Sequence, residues 1–213
     1  MRIPVAEAST VRRRVTVVRR RMPASDLPAA VPLEGQTIRL EPLDDSHIPG
    51  LTEAASDERI WGYSVRGDTA TYLDTARKAM ADGEAVSFVV IEKATCRVLG
   101  MSRLFEIDAT HKRLELGYTW YIPEVWGTRV NPEAKLLLLT HAFEDWGARR
   151  VQFKIHHANL RSQAAVKKLG AVQEGVLRAH MIQPDGSRRD SVVLSIIRDE
   201  WPAVKARLEE RLG

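Results

Sequence analysis

Arg113-Leu114-Glu115-Leu116-Gly117-Tyr118-Thr119-Trp120-Tyr121 opens the stretch, ending at Gly170, that decides the fold of this chain. Apolar and other residues alternate along it, as in a strand with one face buried. Ile122–Asn131 is turn-like, and Pro132–Trp146 reads as a long helix with proline in its first turn and Gly147 beyond its end. Val151–His156 is a second strand, and Asn159-Leu160-Arg161-Ser162 opens a short helix that stops at Gly170. A strand-to-helix turn presents unpaired backbone N–H groups at the positive end of a helix dipole, which suits phosphate. A second strand and helix follow directly and bring small polar side chains beside it. The pattern points to an enzyme that holds a pyrophosphate-bearing cofactor and acts at its far end.

Outward from this unit, Thr37–Leu43 alternates like a half-buried strand, and Asp44, Asp45 and Ser46 offer caps for a short helix to about Ser56. Thr69–Ala81 has the spacing of a helix, with Tyr72, Leu73, Ala76 and Met80 on one face. Ala85–Glu92 and Cys96–Ile107 form a predicted hairpin, as do Ala171–His180 and Ser191–Ile197 through Pro184-Asp185-Gly186-Ser187. Trp201–Leu212 is a closing amphipathic helix. Antiparallel strands first and a strand–helix–strand unit later predict a single α/β domain of mixed α+β kind.

The 213 residues are 44% hydrophobic and 28% charged, an ordinary globular composition. No apolar run approaches the roughly 20 residues that cross a bilayer, so no membrane partner is expected. A single cysteine, Cys96, rules out an internal disulfide and a cysteine zinc site, and no His, Asp and Glu spacing looks like a metal site. Cys96 itself is read as a core or edge thiol early in a strand. A cytoplasmic protein fits this cysteine usage.

The net charge of +4 is uneven. Residues 1–21 carry seven arginines and one acid, or +6, which leaves −2 for residues 22–213. The basicity thus belongs to a leading arm, and residues 1–33, arm and Pro/Ala linker together, are expected to be disordered ahead of a domain over 34–213. The arm is open to two functional readings, a basic tail that contacts RNA, ribosome or acidic lipid and an organelle targeting segment, beside that of a functionless extension, including one that stems from the choice of start codon.

Four segments together carry a family resemblance: Glu115–Trp120, Trp126–Lys135, Asn159–Ser162, and Lys168-Leu169-Gly170-Ala171 followed by Glu174-Gly175. In this order they resemble the GNAT superfamily of acyl-CoA N-acetyltransferases, of the RimJ/RimL type that includes ribosomal-protein N-terminal acetyltransferases. The resemblance covers about residues 34–202. It implies a central, mostly antiparallel sheet of six to seven strands, flanked by helices and splayed at the cofactor. It implies acetyl-CoA as donor, an amine as acceptor, and direct attack in a ternary complex. The superfamily's pyrophosphate turn, Gln/Arg-x-x-Gly-x-Gly/Ala, falls on Trp126, Gly127, Thr128, Arg129, Val130 and Asn131. Both small-residue places are altered here, so Arg129 either restricts phosphate or places its guanidinium on it. Backbone groups of Leu116, Tyr118 and Trp120 would pair with the pantetheine arm, and Asn159 and Arg161 would add cofactor contacts. A glutamate on the central strand, here Glu115, would serve as base, and Ser162 would assist the leaving thiolate.

Each residue also has a plainer reading. Glu115 could be a surface glutamate paired with Arg113 or Arg103, and Asn159 a helix cap alone. His156 and His157 are either substrate-entry groups or satisfied strand-end residues. Trp61, Tyr63, Trp120 and Tyr121 either line an acceptor pocket or pack. A non-catalytic acyl-CoA-binding or protein-interaction module of the same fold is the alternative to an enzyme, and a homodimer is open.

Overall fold

The computed structural model describes residues 26–63, 69–183 and 185–213. One eight-stranded sheet organises them: β1 (Leu33–Glu34), β2 (Ile38–Pro42), β3 (Ala85–Glu92), β4 (Val98–Asp108), β5 (Arg113–Tyr121), β6 (Arg150–His156), β7 (Val172–Ile182) and β8 (Arg188–Ile197). Their order is β1-β2-β3-β4-β5-β6-β8-β7, antiparallel throughout except for β5 beside β6. The sheet has one strand more than the upper expectation, because Leu33–Glu34, within the stretch read as linker, pairs with β2. Two other described residues of that linker are also tied down. Trp146 Nε1 donates to the carbonyl of Asp26 at 3.1 Å, and His141 Nε2 lies 2.9 Å from that of Ala29. The basic arm lies outside the described residues.

Five helices flank the sheet: α1 (Ile48–Ala54), α2 (Thr69–Ala81), α3 (Val130–Thr140), α4 (Leu160–Leu169) and α5 (Trp201–Leu212). Neighbouring residues of β4 separate the two layers. Ser102 bonds Thr119, which receives Lys135 of α3, whereas Arg103 lies against Tyr72 of α2. Helix α3 starts two residues before the expected Pro132 and runs into a π-helical turn, His141–Asp145. Its inner residues Leu138, Leu139, Ala142 and Phe143 are buried, as an apolar helix requires. Gly170 takes the left-handed conformation that closes α4, φ 109°.

Cys96 is not in a strand. It occupies the β3–β4 turn, exposed, with φ 59°, because β4 starts only at Val98. Among the described residues no helix is long and apolar enough to cross a membrane.

Candidate active site

Parallel pairing between β5 and β6 lasts for three residues only, Arg113↔Arg150, Leu114↔Val151 and Glu115↔Gln152. Beyond Glu115 the strands part, while β6 stays paired with β8 as far as His156↔Ser191. The β5 edge from Leu116 onward therefore faces a wedge rather than a neighbouring strand.

A bulge on the other side of β5 shapes this edge. The pairing passes from Arg103↔Gly117 to Met101↔Trp120, so β5 holds one residue more than β4 across the same span. Tyr118 absorbs the excess with φ 49°. Strict alternation would place Thr119 and Tyr121 on the face of Glu115. The extra residue reverses that parity: Thr119 turns towards Lys135 of α3, and Trp120 meets Trp61 beside α2, ring centroids 5.3 Å apart. Tyr121 is buried in the core, its hydroxyl without a partner among the described residues, so it does not line a pocket. Burial raises its hydroxyl's titration.

Glu115 stands at the apex of the wedge and is only 4% exposed. It pairs with neither Arg113 nor Arg103. Its Oε2 lies 2.9 Å from Lys154 Nζ and accepts from Gln152 Nε2 at 3.3 Å, both on β6. Its Oε1 faces Gly117, where a Cβ would come within 3.8 Å of it. Loss of solvent pushes the Glu115 carboxyl above its ordinary range, against the pull of Lys154. Lys154 loses solvent too, but Glu106 at 2.6 Å and Glu115 together hold its titration up. One carboxylate oxygen is thus anchored and the other directed towards the bulge.

The turn before α3 lies at the far end of β5. Thr128 Oγ1 donates to the carbonyl of Val125 at 2.7 Å and receives the N–H of Val130 at 3.3 Å. Gly127 has φ 77°, and a Cβ there would meet nothing within 4 Å, so the turn is open at that point. Asn131 is in the first helical turn, where N–H groups lack intrahelical acceptors. Arg129 does not reach over these amides. Its guanidinium donates to Gln36 Oε1 at 2.6 Å and to the carbonyl of Leu212 at 3.0 Å, and lies 3.6 Å from Glu133. Trp126 Nε1 donates to the Tyr121 carbonyl at 2.9 Å, and the Arg161 guanidinium lies 4.0 Å from the Trp126 ring centroid. That contact brings the first turn of α4 against the turn before α3.

On α4, Asn159 Oδ1 accepts the N–H of Ser162 at 3.0 Å, so Asn159 is a helix cap whatever else it does. Its amide N–H groups and the second lone pair of Oδ1 are left for a ligand. Gln163 fixes the β6–α4 turn by donating to the carbonyls of His156 and His157 at 3.2 and 2.7 Å. His156 is buried, accepts from the Ala158 N–H at 3.0 Å, and has its titration lowered by burial, with Arg189 and His157 adding to the shift. Its ring lies 5.4 Å from that of Tyr63.

Sequence reasoning missed Lys154 and Gln152, placed Tyr72 only on a helix face, and offered Arg103 only as a partner of Glu115. Polar residues at every second place of β6 were a signal for the first two, since they share a face with Glu115 once the strands are paired. A lone arginine within the apolar run of β4 was the signal for Arg103.

Residues 37–172 match the family described as Acetyltransferase (GNAT) domain. The chain is similar to "Putative ribosomal N-acetyltransferase YdaF" of Bacillus subtilis, 30% identical over 79% of this chain and 94% of the relative. It is similar to "Uncharacterized N-acetyltransferase YoaA" of the same organism, 30% identical over 78% of this chain and 96% of the relative. Its fold matches the crystal structure of a GCN5-related N-acetyltransferase from Brucella melitensis, TM-score 0.81, 29% identical, over 87% of each chain.

Proposed function

This chain belongs to the GNAT acetyltransferase family, and on that premise we propose that it moves an acetyl group from acetyl-CoA to a primary amine, a peptide N-terminus or a small amine, in a ternary complex. The observation that carries this reading is the parting of β5 from β6 immediately past Glu115. The wedge leaves the backbone of Leu116, Tyr118 and Trp120 to pair with the amides of a pantetheine arm, in the manner of an added strand. The turn from Trp126 to Asn131 fits a pyrophosphate, being open at Gly127 and free of the Arg129 side chain. Arg161, held against Trp126, supplies a cation at the same place. Asn159 would hold the arm through its amide.

An ammonium cannot attack a thioester. Glu115 removes the amine proton through the oxygen that faces Gly117, directly or by way of a water. A β5 N–H stabilises the oxyanion as the amine adds to the carbonyl carbon. The carbon–sulfur bond then breaks, and Ser162 supplies a hydrogen bond or proton to the thiolate. On this reading the catalytic unit is 34–213 and works in the cytoplasm. The name of one relative, "Putative ribosomal N-acetyltransferase YdaF", favours a ribosomal acceptor.

Calorimetric titration of acetyl-CoA into the full chain tests this, followed by the same titration of Asn159→Ala. Saturable binding that weakens in the variant supports the assignment. Absence of binding to the unaltered chain removes both the donor and the reaction.

A further inference from the structure

Two guanidinium groups border the acceptor side of the wedge with N–H groups that nothing uses among the described residues. Arg103 on β4 is 4% exposed. Its Nε donates to Ser87 Oγ at 3.1 Å, and its guanidinium carbon lies 4.3 Å from the Tyr118 ring centroid and 5.9 Å from that of Tyr72. Its Nη2 is buried with no acceptor. Arg189 on β8 has its Nε in the same condition. Register places Arg189 two residues before Ser191, the partner of His156, so it shares the face of Gln152, Lys154 and Glu115 and stands across the wedge from Tyr118.

A buried cationic N–H without an acceptor is costly, and native proteins rarely leave one. Among the described residues no carboxylate accepts from these two N–H groups. Glu115 and Glu106 are engaged by Lys154, and Asp190 accepts the N–H of Ala179. Tyr118, between the arginines, is 47% exposed, so an incoming group reaches this place from solvent. A planar fork of donors with a free position matches a carboxylate.

We propose that the acceptor is an amine whose own scaffold carries a carboxylate, which Arg103 and Arg189 bind on either side of Tyr118 while the amine lies at Glu115. This rests on the acetyl-transfer reading and narrows it. A polyamine or an unfunctionalised alkylamine offers these donors nothing and meets a surplus of positive charge. A peptide with an acidic residue next to its N-terminus, or a free acidic amino acid, satisfies them. A site with donors placed for one group discriminates against the analogue that lacks it.

The test compares matched acceptors at saturating acetyl-CoA: a short peptide with Glu at its second residue against the same peptide with Gln, free glutamate against free glutamine, and spermidine. The acid should exceed its amide about tenfold or more in kcat/KM, chiefly through KM. The peptide and amino-acid pairs tell which scaffold presents the carboxylate. Arg189→Gln, at a half-buried position, and Arg103→Gln should each bring the acid-to-amide ratio towards one, and the first remains informative should the second not fold. Equal use of acid and amide, or a preference for spermidine, overturns the proposal. Were no acceptor acetylated, calorimetric binding of the same pairs to the CoA-loaded protein would decide it: tighter binding of the acid, lost in Arg189→Gln, upholds it, and equal binding overturns it. Absence of transfer with normal CoA binding then counts against the catalytic reading alone.

Discussion

Glu133, buried in the first turn of α3, holds Thr37 at the start of the sheet: its Oε1 accepts the Thr37 N–H at 2.8 Å and its Oε2 the Thr37 hydroxyl at 2.5 Å. The same carboxylate receives the Ile38 N–H at 3.4 Å and lies beside Arg129. The helix that follows the Trp126–Asn131 turn is thereby fixed to the β1–β2 edge of the sheet. Truncating Glu133 leaves the buried Ile38 N–H and the part-buried Thr37 N–H without this acceptor, so Glu133→Ala should destabilise the fold by about 1–3 kcal/mol in denaturant titration. Gly35 belongs to the same unit, since a Cβ there would collide with Glu133 Oε1 and come within 2.8 Å of the Ile38 carbonyl oxygen. The double variant Gly35→Ala/Glu133→Ala should therefore lose less than the two single losses added, and strict additivity would disprove the linkage.

Glu115 makes a kinetic prediction. Its carboxyl titrates above the ordinary carboxylate range because burial outweighs the pull of Lys154. A base works only when deprotonated, so kcat/KM should fall as pH drops through that raised value. Glu115→Gln should remove this acid limb and lower the rate about a hundredfold or more. Acetyl-CoA affinity should stay near that of the unaltered chain, because the proposed role sets Glu115 on the amine and not on the cofactor. A pH–rate profile with the same acid limb in the variant would take Glu115 out of the mechanism.

The order of strands and helices was legible because periodicity, proline and glycine mark it locally. Trp201–Leu212 and Arg113–Tyr121 have the bounds expected. The bulge was hard to place, since Gly117 in mid-strand is a bulge signal but the positive φ falls on its neighbour Tyr118, a residue type that seldom adopts one. One hidden residue reversed the faces of Thr119 and Trp120. Partners of Glu115 were hidden for another reason: Gln152 and Lys154 lie across a parallel pairing whose register depends on tertiary packing. Leu33–Glu34 was passed over because two residues carry no period at all.

Lys135 predicts an unusual dependence of stability on pH. It is buried on α3 and donates to Thr119 Oγ1 at 2.9 Å, and burial brings its titration from 10.5 down to about 7. The folded protein thus prefers neutral Lys135, whereas the unfolded chain keeps it charged up to about pH 10. The resulting destabilisation is fully present below about pH 7 and fades as pH rises towards the unfolded value. Between these limits the unfolded state binds one proton more, so this group should add about 1.4 kcal/mol of stability per pH unit. Lys135→Met should abolish that slope, read as the difference between the two proteins in denaturant titrations from pH 7 to 9. Parallel curves for the two would mean that Lys135 is charged in the fold.

Arg161 tests the phosphate site proposed at the turn before α3. Its guanidinium lies over Trp126, at the start of the turn that leads into α3. A cation held there should form charge-assisted hydrogen bonds to phosphate, while its stacking on Trp126 contributes little to the fold at an exposed position. Arg161→Ala should therefore weaken acetyl-CoA binding by about tenfold and leave stability within about 0.5 kcal/mol. A phosphate contact is also screened by salt. Raising the ionic strength should weaken acetyl-CoA binding to the unaltered chain more steeply than to Arg161→Ala. Equal salt dependence, with equal affinity, would place the pyrophosphate away from Arg161 and leave the backbone of the Trp126–Asn131 turn to hold it alone.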